Sequence, residues 1–125
     1  MNARKTLCVV AIGLAAFAAV PLQAHEAAAL RGGIVRTVSD LQYELIVKGS
    51  DATIFVDDHG KPVSTAGMTG KLTALMGKET TEAELRTAGD NRLEAKGLKL
   101  GSGARIVAVI RRDATKTVTV RYTLK

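Results

Sequence analysis

Cysteine is almost missing from this sequence. Cys8 stands alone, near the start of an apolar stretch close to the amino terminus. The chain can form no internal disulfide, and a structural zinc site built on several thiolates is excluded. Tryptophan is absent, and beyond residue 24 the only aromatic residues are Tyr43, Phe55 and Tyr122. So few rings offer no platform on which bases could stack, which argues against nucleic-acid binding. Histidine is equally scarce, with only His25 and His59. No Ser-His-Asp arrangement in a recognisable setting and no phosphate-cradling glycine loop is present. Asp57 and Asp58 are adjacent, so on a strand they point to opposite faces and do not make an acid/base pair. The expectation is a protein that is not an enzyme.

Long hydrophobic runs are missing too, with one instructive exception. Leu7 to Val20 (LCVVAIGLAAFAAV) is an uncharged run of 14 residues, short of the ~20 that a membrane-spanning helix needs. Arg4 and Lys5 precede it, Pro21 follows it, and Leu22-Gln23-Ala24 places a small residue before a cleavage point. These are the three parts of a secretory signal peptide. The expected organisation is a signal peptide over residues 1–24, a flexible arm over 25–32 and a single domain over 33–125. Cys8 would leave with the leader, and a small cysteine-free export product suits a bacterial periplasm.

What the remainder does have is alternation. In LQYELIVK, Leu41, Tyr43, Leu45 and Val47 share one face. Ala52, Ile54 and Val56 alternate with polar neighbours, as do Val118, Val120, Tyr122 and Leu124. A period of two marks half-buried strands. IVAVI (residues 106–110) is apolar on both faces and reads as a more central strand. Glycine- and aspartate-rich turns at Gly49–Asp51, Asp57–Gly60, Gly89–Asn91, Gly101–Gly103 and Arg112–Ala114 separate the runs. Residues 79–88 (ETTEAELRTA) fit either a helical turn capped by Thr81 or an edge strand near Ala83–Arg86. The fold class expected is all-β, an antiparallel β-sandwich of the Ig-like or Greek-key type with six to eight strands.

After the leader, sixteen Lys and Arg face twelve Asp and Glu. The cations are scattered along the chain, as on a solvated surface, and imply no more than weak attraction to anionic head groups.

Metal binding is the chemistry that the remaining residues favour. Cleavage after Ala24 would give His25 a free α-amine beside its imidazole, a chelating pair suited to copper. His59 lies in the tip DDHGKP beside two carboxylates. Met68, in the glycine-flanked stretch AGMTG, offers an exposed thioether suited to copper(I), whereas Met76 at the end of KLTALM fits a core role. The expected donors are therefore His25, His59 and Met68.

GGIVRTVSDLQYELIVKG followed by TIFVDDHGKPV resembles a group of small exported proteobacterial proteins. It is also similar to the amino-terminal β-domain of periplasmic adaptors in heavy-metal efflux pumps of the resistance-nodulation-division (RND) type. Arg31-Gly32-Gly33, Glu44-Leu45-Ile46 and Asp58-His59-Gly60-Lys61-Pro62 carry the likeness, with GDNRLEAKG (residues 89–97) and the strand from Ala104 extending it. The resemblance implies a periplasmic β-sandwich tied to metal efflux or tolerance, with an RND-type efflux adaptor as partner. It also implies a histidine ahead of the glycine pair, where this chain has Arg31. The implied ligand is thus either lost or moved to His25, six residues upstream. The alternative is a metal-free interaction module that docks on such an adaptor, or on another envelope protein, through a sheet edge or an exposed face.

Overall fold

The computed structural model describes residues 27–125, so the leader region and His25 lie outside the described residues. Nine strands follow one another: β1 (Ile34–Val38), β2 (Leu41–Lys48), β3 (Asp51–Asp58), β4 (Lys61–Pro62), β5 (Thr69–Met76), β6 (Glu79–Thr87), β7 (Arg92–Ala95), β8 (Arg105–Arg111) and β9 (Thr117–Thr123). Every pairing is antiparallel, in the order β1-β2-β3-β7-β6-β5-β8-β9, with β4 attached to β3. The all-β antiparallel class expected from the alternation is what the chain adopts. Its strands belong to one continuous sheet that curls until β1 lies beside β9, nearly closing a barrel.

The alternation explains the core directly. Leu41, Tyr43 and Leu45 of β2, Ala52, Ile54 and Val56 of β3, and Ile106, Ala108 and Ile110 of β8 all point inward and are buried. Val118, Val120 and Tyr122 of β9 join the same cluster. Full burial of each large aliphatic side chain contributes about 1.5–3 kcal/mol against leaving it in water. The Tyr122 hydroxyl donates to the Tyr43 carbonyl oxygen at 3.1 Å, tying β9 to β2 across the interior.

Two readings of single segments change. Residues 79–87 form strand β6 and no helical turn. β6 lies between β5 and β7, but β7 pairs only with Arg86 and Thr87, so among the described residues no strand pairs the other side of Glu79–Leu85. The strand wins because β5 offers it a full partner from Met76↔Glu79 to Thr69↔Arg86. In β8, Val107 is only half-buried and Val109 is 41% exposed. The outer side of the IVAVI strand therefore has no covering layer among the described residues. No helix among those residues is long and apolar enough to cross a membrane.

Candidate functional site

The outer face of β1–β3 is where the alternation rule breaks. By register, Val35, Gln42, Glu44, Phe55 and Asp57 all point away from the core. Yet Val35, Glu44 and Asp57 are buried, at 8%, 1% and 3% exposure. The cover is the segment that precedes β1. Arg31 lays its guanidinium over the Phe55 ring, 4.2 Å from the centroid. Its Nη1 donates to Glu44 Oε2 at 2.9 Å and to Asp57 Oδ2 at 2.8 Å, and Nη2 donates to Asp57 Oδ1 at 3.1 Å. The arm is fastened at this point.

Backbone donors complete the arrangement. The N–H groups of Arg31 and Gly33 both donate to Glu44 Oε1, at 2.8 and 3.0 Å. Asn91, itself buried, donates from Nδ2 to Asp57 Oδ1 at 3.1 Å and to the Val56 carbonyl at 3.2 Å. Glycine is required here for two separate reasons. Gly32 holds φ at +76°, and a Cβ at Gly33 would strike the Leu45 carbonyl oxygen. Burial pushes the Glu44 carboxyl up, but the donors from Arg31 and Gly33 outweigh it and hold Glu44 below the usual carboxylate range. Hydrogen bonding to Asp57, against the opposing effect of burial, raises the Arg31 guanidinium further, with Glu44 adding to it. One cation thus serves two buried carboxylates, leaving a net negative charge under the arm.

Beside this cluster lies a cavity of about 210 Å³, lined by Ala27, Ala28 and Leu30 of the arm, by Val35, Gln42 and Glu44, and by Asp57 and Gly60. His59 precedes Gly60 in the two-residue turn between paired Asp58 and Lys61. Both turn residues have positive φ, +50° at His59 and +83° at Gly60, the pattern of a type I′ hairpin turn. The His59 N–H donates to Gln42 Oε1 at 2.8 Å. Its ring Nδ1 lies 2.7 Å from Asp58 Oδ1, and the side chain is 80% exposed. An imidazole and a carboxylate are therefore presented together to solvent.

The expected donors separate. His59 is exposed and oriented by Gln42 and Asp58. His25 lies outside the described residues. Met68 is not the exposed thioether that its glycine neighbours suggested. It is 7% exposed and belongs to the hydrophobic core, because the chain folds inward there through the Met68 N–H to Thr65 carbonyl bond at 2.9 Å. Among the described residues no three His, Cys, Asp or Glu side chains form a group that could hold a metal ion.

The Arg31–Glu44–Asp57–Asn91 network was not singled out by the sequence. Glu44 and Asp57 occupy polar positions of alternating strands and read as solvated charges. The one available signal is the glycine pair after Arg31, since adjacent glycines mark a close backbone approach. Compared with protein-family models, curated proteins and solved structures, the chain matches none of them.

Proposed function

We propose that this is a small exported periplasmic protein that handles copper or a similar metal ion in the service of heavy-metal efflux or tolerance. In this reading the leader is cleaved after Ala24, and the new terminal residue, His25, closes with His59 around the ion. The observation that carries it is the cavity shared by the arm and the β3–β4 tip. Ala27 and Ala28 line the same space as Asp57 and Gly60. His25 stands two residues before Ala27, a reach of at most ~7 Å at ~3.3–3.6 Å per residue. The excess negative charge of Glu44 and Asp57 over Arg31 favours a cation at that end of the sheet. Met68, buried in the core, has no part in the proposed site.

The test is an NMR titration of protein purified from the export compartment, its amino terminus first fixed by intact mass. Copper(II), copper(I) under reductant, and zinc are added while the imidazole signals are followed. Saturable, stoichiometric shifts at both rings, lost in His25→Ala, are the expected result. A terminus that lacks His25, or no shift below millimolar metal, overturns the reading.

A second reading, the metal-free module that docks on an efflux adaptor, has its own observation. β7 pairs with β6 only at Arg86↔Glu94 and Thr87↔Leu93. Among the described residues the stretch Glu79–Leu85 is thus paired along one side by β5 and has no strand on the other, where the Lys99 N–H and ammonium reach Thr81 and Glu79. An extended segment of a partner could add there by main-chain hydrogen bonds. Binding of an adaptor that survives His25→Ala and His59→Ala would favour this reading.

A further inference from the structure

The net charge of this protein is not shared among its strands. Residues 27–104 hold ten Lys and Arg against ten Asp and Glu. Residues 105–125 hold Arg105, Arg111, Arg112, Lys116, Arg121 and Lys125 against Asp113 alone. The positive excess of the described residues therefore belongs to the β8–β9 hairpin and the short tail behind it. Asp113 offsets one of these six charges, its carboxylate accepting from the N–H groups of Thr115 and Lys116 and from the Thr115 hydroxyl.

The register puts three of these cations, Arg105, Arg111 and Arg121, on one surface. Arg105 and Val107 of β8 face Thr123 and Arg121 of β9, and Leu75 of β5 faces Arg105 from the other side. All of these side chains point outward, opposite buried Ile106 and Tyr122. Arg105 and Arg121 are exposed, and neither has an ion-pair partner among the described residues. Between them, Leu75 and Val107 line a shallow groove. Leu75 is 39% exposed and Val109, one step further along β8, 41%. Apolar side chains are thus left uncovered in the middle of the most basic part of the molecule.

We infer that the outer face of β8–β9, with Leu75 at its margin, docks on an anionic phospholipid surface. Charge complementarity selects an anionic occupant. Shape selects a bilayer over a protein. A protein interface of ordinary size needs matched surfaces of about 800 Å² per partner. This face offers instead a few long cations around short apolar side chains on the outside of a curled sheet. A bilayer needs no matched shape, only cations at the level of the phosphates and small apolar groups that enter the head-group layer. The groove shares no lining residue with the cavity beside the β3–β4 tip, so the two surfaces are distinct.

The experiment is co-sedimentation of the processed protein with vesicles of phosphatidylethanolamine and phosphatidylglycerol, compared with vesicles of phosphatidylcholine. Three proteins are compared: wild type, Arg105→Gln/Arg121→Gln, and Lys48→Gln/Lys78→Gln, which removes the same charge from exposed sites elsewhere. Circular dichroism confirms that each is folded. Wild type is expected on the anionic vesicles only, with binding that falls as salt rises. The arginine pair variant should lose about thirty-fold, roughly five-fold per cation at the surface, and the lysine pair variant less than about three-fold on the same scale. Equal losses in the two variants would reduce the effect to net charge and overturn the proposal. So would a wild type that ignores anionic vesicles, including one that binds polyglutamate through Arg105 and Arg121, which would assign the face to an acidic protein.

Discussion

Two hairpins of this protein are built on the same plan and finished differently. β2–β3 and β8–β9 each send a row of aliphatic and tyrosine side chains inward, and both rows are almost fully buried. Their outer faces part company. Over β2–β3 the arm adds a second layer, and Glu44, Asp57 and Phe55 lie beneath Arg31. Over β8–β9 no layer is present among the described residues, so Val109 and the arginines are exposed. Strand periodicity fixes which side of the sheet a residue occupies, whereas seven residues outside the sheet decide whether that side is wet. The comparison separates the energetics of the sheet from those of its cover.

The inward faces should be equivalent. Ile54→Ala in β3 and Ile106→Ala in β8 each empty a fully buried site, and each should cost about 2–5 kcal/mol. Urea unfolding of both variants checks this, and a difference above about 2 kcal/mol would break the symmetry claimed for the core.

The outward faces should differ by nearly as much as the inward faces agree. Arg31→Ala leaves two buried carboxylates without their cation, and about 3 kcal/mol of stability should go with it. Arg121→Ala, on the uncovered face, should stay within about 0.5 kcal/mol of wild type. Denaturant midpoints of the pair measure the worth of the arm directly.

The smallest effect is the one that pH reveals. Glu44 in the folded protein titrates below its value in the unfolded chain, burial being outweighed by the donors of Arg31 and Gly33. Its contribution is therefore complete above the unfolded carboxylate value of about 4.3 and is lost as pH falls through the lower folded value. Stability of the wild type should decline on acidification from about pH 5, and the Glu44→Gln variant should follow a flatter curve. Denaturant midpoints measured from pH 7 to pH 3 give both profiles. Parallel curves would remove Glu44 from the account.

These contrasts also mark what could be read from the sequence. The strands of both hairpins were legible because eight or so alternating residues outweigh any single exception, and the turns because glycine and aspartate concentrate in them. β1 and β7, at five and four residues, are too short for alternation to stand out. The turn between β1 and β2 is made by Ser39 and Asp40, both at positive φ without a glycine to announce them. Of the candidate site, the exposed histidine was legible, since a charged tip closed by Gly60 must face water. Met68 misled because flanking glycines signal a bend in the chain and not the direction of the side chain between them. Glu44 and Asp57 were illegible for a deeper reason: a covering arm leaves no periodic trace in the strands it covers.

The meeting of β1 with β9 bears on how the native state is reached. Segments from opposite ends of the domain become neighbours, so the curl is completed only when the last strand is in place. Contacts so distant in sequence slow folding. Until they form, the margins along β1 and β9, which share no ladder hydrogen bonds, lie open to any other chain. A version of the protein ending before Thr117 would expose the whole length of β8 in the same way, turning an interior strand into a template for aggregation.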